Sequence, residues 1–359
     1  MILLSDTLTD WLFRFSLAFW VAIAALVLFI LLYLLWRNRR SLQRRRLRAY
    51  FSDCISNAGV CDSREEVADL VAAMAPDWNR LRTNARARRL FIKELVKAQE
   101  DLSGQASDNI VELYTSLGLE KDILEQLDAP QWHRKAAAIN QLAALRQAHQ
   151  IDRIFPETNH RNAEVRDAAQ LAIVHLQGAE GLAFLQTALY PITQWQQILL
   201  LHQLDGAELQ PARVLEWMRS GNATVVEFAL RLVEKFMLFD GVPAVFSLLD
   251  HPGAPVRRQA LQVVSVLPAE GAAAALEEKY PRADYSEQLL ILDILGAIGT
   301  RAQVPFLQAL LATPDEFTRY KALSSLHQLD PQQAALTAQG LQDDPSFTYV
   351  LSLITGKEA

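Results

Sequence analysis

The sequence predicts an all-α protein: an apolar N-terminal helix of transmembrane length followed by an α-solenoid of about seven helix pairs. Three observations lead there. Residues 15–36 carry no charge, the apolar pattern beyond residue 128 repeats every 30–32 residues, and the 51% hydrophobic content includes only 8% aromatics. A composition dominated by Leu, Ala, Val and Ile suits helices packed on helices better than a β-sandwich. Three segments follow: residues 1–36, an N-terminal tail and transmembrane helix; residues 37–128, a basic helical region beside the membrane; and residues 129–359, the solenoid.

The first segment is judged by length. The 22 residues 15–36, at about 1.5 Å of rise each, reach roughly 33 Å, against a hydrocarbon core of about 30 Å. Trp11, Tyr33 and Trp36 stand near its ends, where interfacial aromatics belong. A cleaved signal peptide would begin with basic residues, and Met1 to Asp10 contains none. Ala18, Ala22 and Ala25 fall on one face and form a candidate packing strip for another transmembrane helix. Arg37, Arg39, Arg40, Arg44, Arg45, Arg46 and Arg48 follow the apolar run, against Arg14 alone before it. The positive-inside rule then places the short N-terminus outside and the remainder in the cytoplasm, at an inner membrane. The same arginines are candidate ligands for anionic lipid headgroups. With a cytoplasmic solenoid, the sequon Asn222-Ala223-Thr224 meets no glycosylating enzyme.

Charge is segregated along the chain. Residues 37–97 hold 15 Lys/Arg and 7 Asp/Glu, whereas residues 98–359 hold 19 and 32, balances of +8 and −13. In the basic region Ser63 and Glu66 form a capping-box pattern. A helix is expected to open at Pro76 and run to about residue 98, carrying Arg80, Arg82, Arg86, Arg88, Arg89, Lys93 and Lys97. Its basic face suits anionic lipid, an acidic partner surface or plain solvation. Nucleic acid is not expected, because no aromatics interleave the basic residues and the long arm is acidic. Cys54 and Cys61 lack further ligands at metal spacing and read as two reduced thiols of a reducing compartment.

The repeats align on Ala137, Ala169, Leu199, Ala229, Ala260, Leu290 and Ala322, at steps of 32, 30, 30, 31, 30 and 32. Each unit reads as a helix with apolar residues at helical spacing, a Gly or Pro break, and a shorter returning helix. The openings Val165-Arg166-Asp167-Ala168-Ala169 and Val256-Arg257-Arg258-Gln259-Ala260 resemble HEAT repeats of the short bacterial type. The Val-Arg pair is replaced by Trp195-Gln196, Val225-Val226 and Ser286-Glu287 in three units. The in-register arginines Arg134, Arg166, Arg257 and Arg319 suggest hydrogen bonding between units. Leu113 to Leu119, with Trp132 and Arg134 after it, resembles bacterial proteins that carry a membrane helix ahead of such repeats.

That resemblance implies a membrane-tethered scaffold that positions or regulates a protein partner. It also implies an accessory subunit of an envelope polysaccharide synthesis or export machine, with a transient assembly factor as the alternative. A HEAT-like enzyme, such as a lyase or a DNA glycosylase, is the less favoured class. No phosphate loop, nucleophile elbow or metal-binding His pair occurs, and the seven histidines are scattered singly, so no catalysis, cofactor or metal is expected. Trp132, Trp195 and Trp217 are the candidate partner-binding residues, since Trp is enriched where interfaces are strongest. The oligomeric state is not legible.

Overall fold

The computed structural model describes the backbone of residues 2–339 and the side chains of residues 19, 20, 23–39 and 41–338. All regular structure among the described residues is helical. The chain divides into two compact units, Met1–Gln150 and Ile151–Ala359.

Unit 1 contains α1 (Ile2–Gly59), α2 (Arg64–Leu81), α3 (Ala85–Asp101), α4 (Gln105–Ser116), α5 (Glu120–Leu127) and α6 (Trp132–Ala144). The apolar run and the arginine-rich flank are one continuous helix, and among its described side chains the buried ones lie in the last turns, Phe51, Cys54, Ile55 and Ala58. Phe51 stacks on Phe91 of α3 with ring centroids 4.3 Å apart, and Trp78 of α2 meets Phe91 edge-on at 5.8 Å. Asn109 of α4 donates to the carbonyls of Ala58 (3.0 Å) and Cys61 (2.7 Å), fastening α4 to the end of α1. Arg88 of α3 grips Asp122 of α5 through two bonds of 2.6 and 2.9 Å.

The membrane expectation is corrected here. Among the described residues no helix is long and apolar enough to cross a membrane. The inferred inner-membrane placement, with the N-terminus outside and the solenoid in the cytoplasm, falls with it, as does the topological role of the arginines. Of the small-residue strip, Ala25 is exposed, and the side chains of Ala18 and Ala22 lie outside the described residues.

Two local expectations meet different outcomes. Ser63 caps α2 by accepting from the Glu66 amide, while the Glu66 carboxylate accepts from the Asp62 amide (2.9 Å), one residue before the cap. Pro76, expected to open a helix, lies inside α2. The break falls instead at 82–84, where the Asn84 side chain accepts from the Arg86 amide and starts α3. An N-cap bond at Asn84 outweighs the weak start signal of a proline whose fixed φ is already helical. Arg80 and Arg82 therefore do not share a helix with Arg86, Arg89, Lys93 and Lys97.

Unit 2 begins with α7 (Ile151–Ile154) and then repeats a two-helix motif. The first helices are α8 (Ala163–Gln177), α9 (Gln194–Gln203), α11 (Ala223–Lys235), α13 (Ala254–Val266), α15 (Tyr285–Ile298) and α17 (Glu316–Leu329). The returning segments are a 3-10 stretch (Gly178–Thr187), α10 (Pro211–Trp217), α12 (Val242–Leu248), α14 (Ala272–Lys279), α16 (Val304–Leu310) and α18 (Pro331–Gln339). Successive first helices stack, α11 on α13, α13 on α15 and α15 on α17, which is the layering of an α-solenoid. Ala169, Ala229, Ala260 and Ala322 are buried at the register position, and Leu199 and Leu290 are half-buried. In α6 of unit 1 the inward residue is Ala138 rather than Ala137.

Glycine is needed at two close approaches. A Cβ on Gly181 would lie 2.6 Å from the Ile173 carbonyl oxygen, and one on Gly296 would lie 3.0 Å from the Ser325 Cα. In the latter contact Ser325 Oγ of α17 donates to the Leu292 carbonyl of α15 (2.6 Å), so the absent side chain lets the helices bond directly.

Candidate functional site

The most exposed aromatic surface of unit 2 lies where its first helices begin. Thr193 caps α9 by accepting from the Gln196 amide, and this cap sets Trp195 in the first turn, 68% exposed. Ile198, one turn on, is 49% exposed, and Leu189 in the preceding loop is 79% exposed. The loop is held from both neighbouring repeats. Asn159 donates to the Thr187 carbonyl and accepts from the Leu189 amide, both at 2.8 Å. Asn222 donates to the carbonyls of Ala188 (3.2 Å) and Tyr190 (3.1 Å). The Arg166 guanidinium lies 4.6 Å from the centroid of the Tyr190 ring. An apolar side chain so exposed on a backbone so tied is pre-organised for contact. The same bonds occupy the amide of Asn222, so the sequon is set aside on hydrogen-bonding grounds.

A second aromatic group sits on the same edge at the junction of α15 and α17. The Tyr285 hydroxyl donates to Asp315 (2.8 Å), the N-cap of α17, and the Phe317 ring stacks on Tyr320 at 6.2 Å. Tyr285 and Phe317 are each half exposed. Both stand five residues before a register position, Leu290 and Ala322, and Trp132 stands five before Ala137. The repeat alignment thus held the signal for Tyr285 and Phe317, and a search confined to tryptophan passed over them.

Of the three candidate tryptophans, Trp195 is exposed in unit 2, and Trp132 of unit 1 is half exposed with its ring edge-on to His133 at 5.7 Å. Trp217 is corrected: it is 2% exposed in the core of unit 2 and offers nothing to a partner. Its sequence position gave no warning, because the returning helix α10 is short and turns that face inward.

The arginine register is partly a ladder. Arg257 donates to Glu287 of the next repeat (2.7 Å), to Asp284 (3.2 Å) and to its own loop carbonyls at His251 and Pro252. Glu287 occupies in its repeat the place that Arg257 holds in the one before, so the departure at Ser286-Glu287 supplies the partner charge. Arg166 donates to the His160 carbonyl of its own loop (3.0 Å). Gln196, which replaces the arginine, donates to the Asp167 carbonyl (3.0 Å). Acidic residues elsewhere are held by neighbours. Hydrogen bonding from Lys279 keeps the Asp250 carboxyl below its ordinary value, as the Glu287 amide and the Ser286 hydroxyl do for Asp284 and Thr318 for Asp315. Burial pushes Asp167 up against the pull of Arg166. No second carboxylate bonds to Asp167, and among the described residues no three His, Cys, Asp or Glu converge on a point.

Unit 1 presents a different surface. The α3 face opposite Ala87, Phe91, Ile92 and Leu95 exposes Arg86, Arg89, Lys93 and Lys97. Arg82, just before the helix, lines a cleft with Trp78, Arg88, Lys121, Asp122 and Glu125. Of the α1 arginines, 37, 39, 44, 45, 46 and 48 are exposed, Arg48 pairs with Glu94 (3.1 Å), and the side chain of Arg40 lies outside the described residues. Cys54 and Cys61 are free thiols, each pushed up by burial, and the neighbouring Tyr50 hydroxyl is pushed up to about 12, first by burial and then by Cys54.

No family model and no curated protein matches the chain. Solved structures that align with it include an engineered protein at 16% identity, covering 66% of this chain and 95% of that one, TM-score 0.31. The complex of CpcE and CpcF of phycocyanin lyase from Nostoc sp. PCC7120 aligns at 14% identity over 66% and 94%, TM-score 0.27. Kap121p aligns at 13% identity over 85% and 37%, TM-score 0.35. Likenesses of this size carry no conclusion about activity or partner.

Proposed function

We propose that this chain is a non-catalytic scaffold whose unit 2 seats a protein partner on the aromatic edge formed by Leu189, Tyr190, Trp195 and Ile198. The observation that carries the reading is the clamped loop: Asn159 and Asn222 fix the 188–190 backbone while Leu189 and Trp195 stay exposed. Rigid Trp and Tyr side chains offer large contact area at little entropic cost, which is how a few residues come to dominate an interface. The second group, Tyr285 and Phe317, extends the edge along the stack, as repeat proteins extend binding surfaces. Association with no covalent chemistry is all this surface requires.

The test is affinity capture with the full chain in mild detergent, chosen because the apolar part of α1 is exposed. Wild type is compared with Trp195→Asp and with Trp217→Phe, a core control. The reading expects a stoichiometric protein that wild type and the control retain and Trp195→Asp loses, at unchanged helical content. Equal retention by all three would remove the edge from the interface.

A further inference from the structure

We propose that the exposed face of α3 in unit 1 is a docking strip for an acidic helical segment of a partner protein. Arg86, Arg89, Lys93 and Lys97 follow one another at steps of three, four and four, which lines them along one face of α3, and Arg82 stands just before the helix. All five are exposed, and none takes part in an ion pair among the described residues. Nearby cations behave differently: Arg88 is bound to Asp122 and Arg48 to Glu94. The strip ends at Glu100 and Asp101.

The placement works against the helix that bears it. No acidic residue occupies the first turn of α3, and Arg86, Arg88 and Arg89 crowd the positive end of its dipole. Intramolecular pairing relieves only Arg88. Unpaired cations on the wrong end of a helix weaken it, and an external anion would reverse that penalty.

The surroundings select the kind of anion. No exposed aromatic interrupts the strip for bases to stack on. The apolar face of α3 is buried in unit 1, so nothing on this helix inserts into lipid. Carboxylates at helical spacing, about 6 Å apart along a partner helix, match the strip's own repeat.

The experiment measures fluorescence anisotropy of a synthetic helical peptide of about 20 residues, long enough to hold helix. It carries Glu at positions i, i+4, i+7 and i+11, and a Gln version serves as control. The titrant is the full chain in mild detergent. Binding should weaken with added salt, and R86Q/R89Q/K93Q/K97Q should lower affinity by about tenfold or more. Circular dichroism checks that the variant keeps its helices. R86E/R89E/K93E/K97E should bind a peptide carrying Lys in place of Glu. No binding of the Glu peptide, or equal binding by the quadruple variant, overturns the proposal. So does displacement of the peptide by a DNA duplex or by phosphatidylglycerol bicelles with higher affinity, which would assign the strip to nucleic acid or lipid.

Discussion

Unit 1 and unit 2 are both helical, but they are held together on different plans. Unit 1 converges on one aromatic centre, where α1, α2 and α3 meet through Phe51, Trp78 and Phe91. Among the described residues of unit 2 the core instead runs along the repeats. Each repeat packs its own register Ala or Leu along the stack, and ties cross between repeats, such as Arg257 to Glu287, Lys321 to Asp293 (2.8 Å) or Lys235 to Asp205 (2.5 Å). A central cluster fails as a whole, whereas nearest-neighbour stacking fails locally. The plan also decides where surface is left for partners: a periodic edge in unit 2, and a single charged helix face in unit 1.

The largest expected effect comes from breaking the centre of unit 1. Phe91 is fully buried between rings from two other helices, so Phe91→Ala should cost about 3–5 kcal/mol. Amide exchange should speed up across α1, α2 and α3 together. Confinement of the change to α3 would mean unit 1 is not built on one cluster. Next in size is Glu287→Ala, which strips the buried carboxylate from a partly exposed Arg257 that keeps Asp284 and two carbonyls. A loss of about 2–3 kcal/mol is expected, with exchange rising mainly in α13 and α15.

Acid should separate the two plans next. Asp205, Asp250, Asp284 and Asp315, all in unit 2, are held below the ordinary carboxyl value. A group whose folded pKa is depressed adds stability above its unfolded value, and that stability disappears as pH falls through the folded one. Unit 2 should therefore begin to loosen below about pH 4. Exchange followed by mass spectrometry from pH 6 downward checks it, and earlier loosening of unit 1 would contradict it. The effect at each residue is small, because these carboxylates are solvent-exposed.

The smallest effect is a gain. Met237 ends α11 with φ of 51°, and the Leu238 amide reaches back to the Val233 carbonyl (3.0 Å). Left-handed backbone suits glycine there, so Met237→Gly should raise stability by about 0.5–1 kcal/mol in a thermal melt.

The difference in plan also explains what the sequence made legible. The 30–32 residue step in unit 2 placed the buried Ala169, Ala229, Ala260 and Ala322 without any structure, because each stacked repeat returns an apolar residue to the same inward position. Unit 1 offers no second copy to align. Its helix break at Asn84 and its Phe91 centre depend on contacts between residues far apart in sequence, which local pattern does not encode. The membrane placement is overturned by the structure, in which no helix among the described residues is long and apolar enough to cross a membrane. At the candidate site, Trp195 stood out by type, but Tyr285 and Phe317 are marked only by their place in the repeat. The Asn159 and Asn222 clamps link residues about thirty apart and have no local signature.

The central claim is that the Trp195 edge of unit 2 meets a partner directly. Site-specific photocrosslinking tests it most closely, with benzoylphenylalanine placed at Trp195 and, as a control, at exposed Glu270 beyond the end of α13. The account predicts one dominant crosslinked protein from Trp195, none from Glu270, and its loss when Leu189→Asp is added. A protein crosslinked equally from both positions, or from neither, would contradict it.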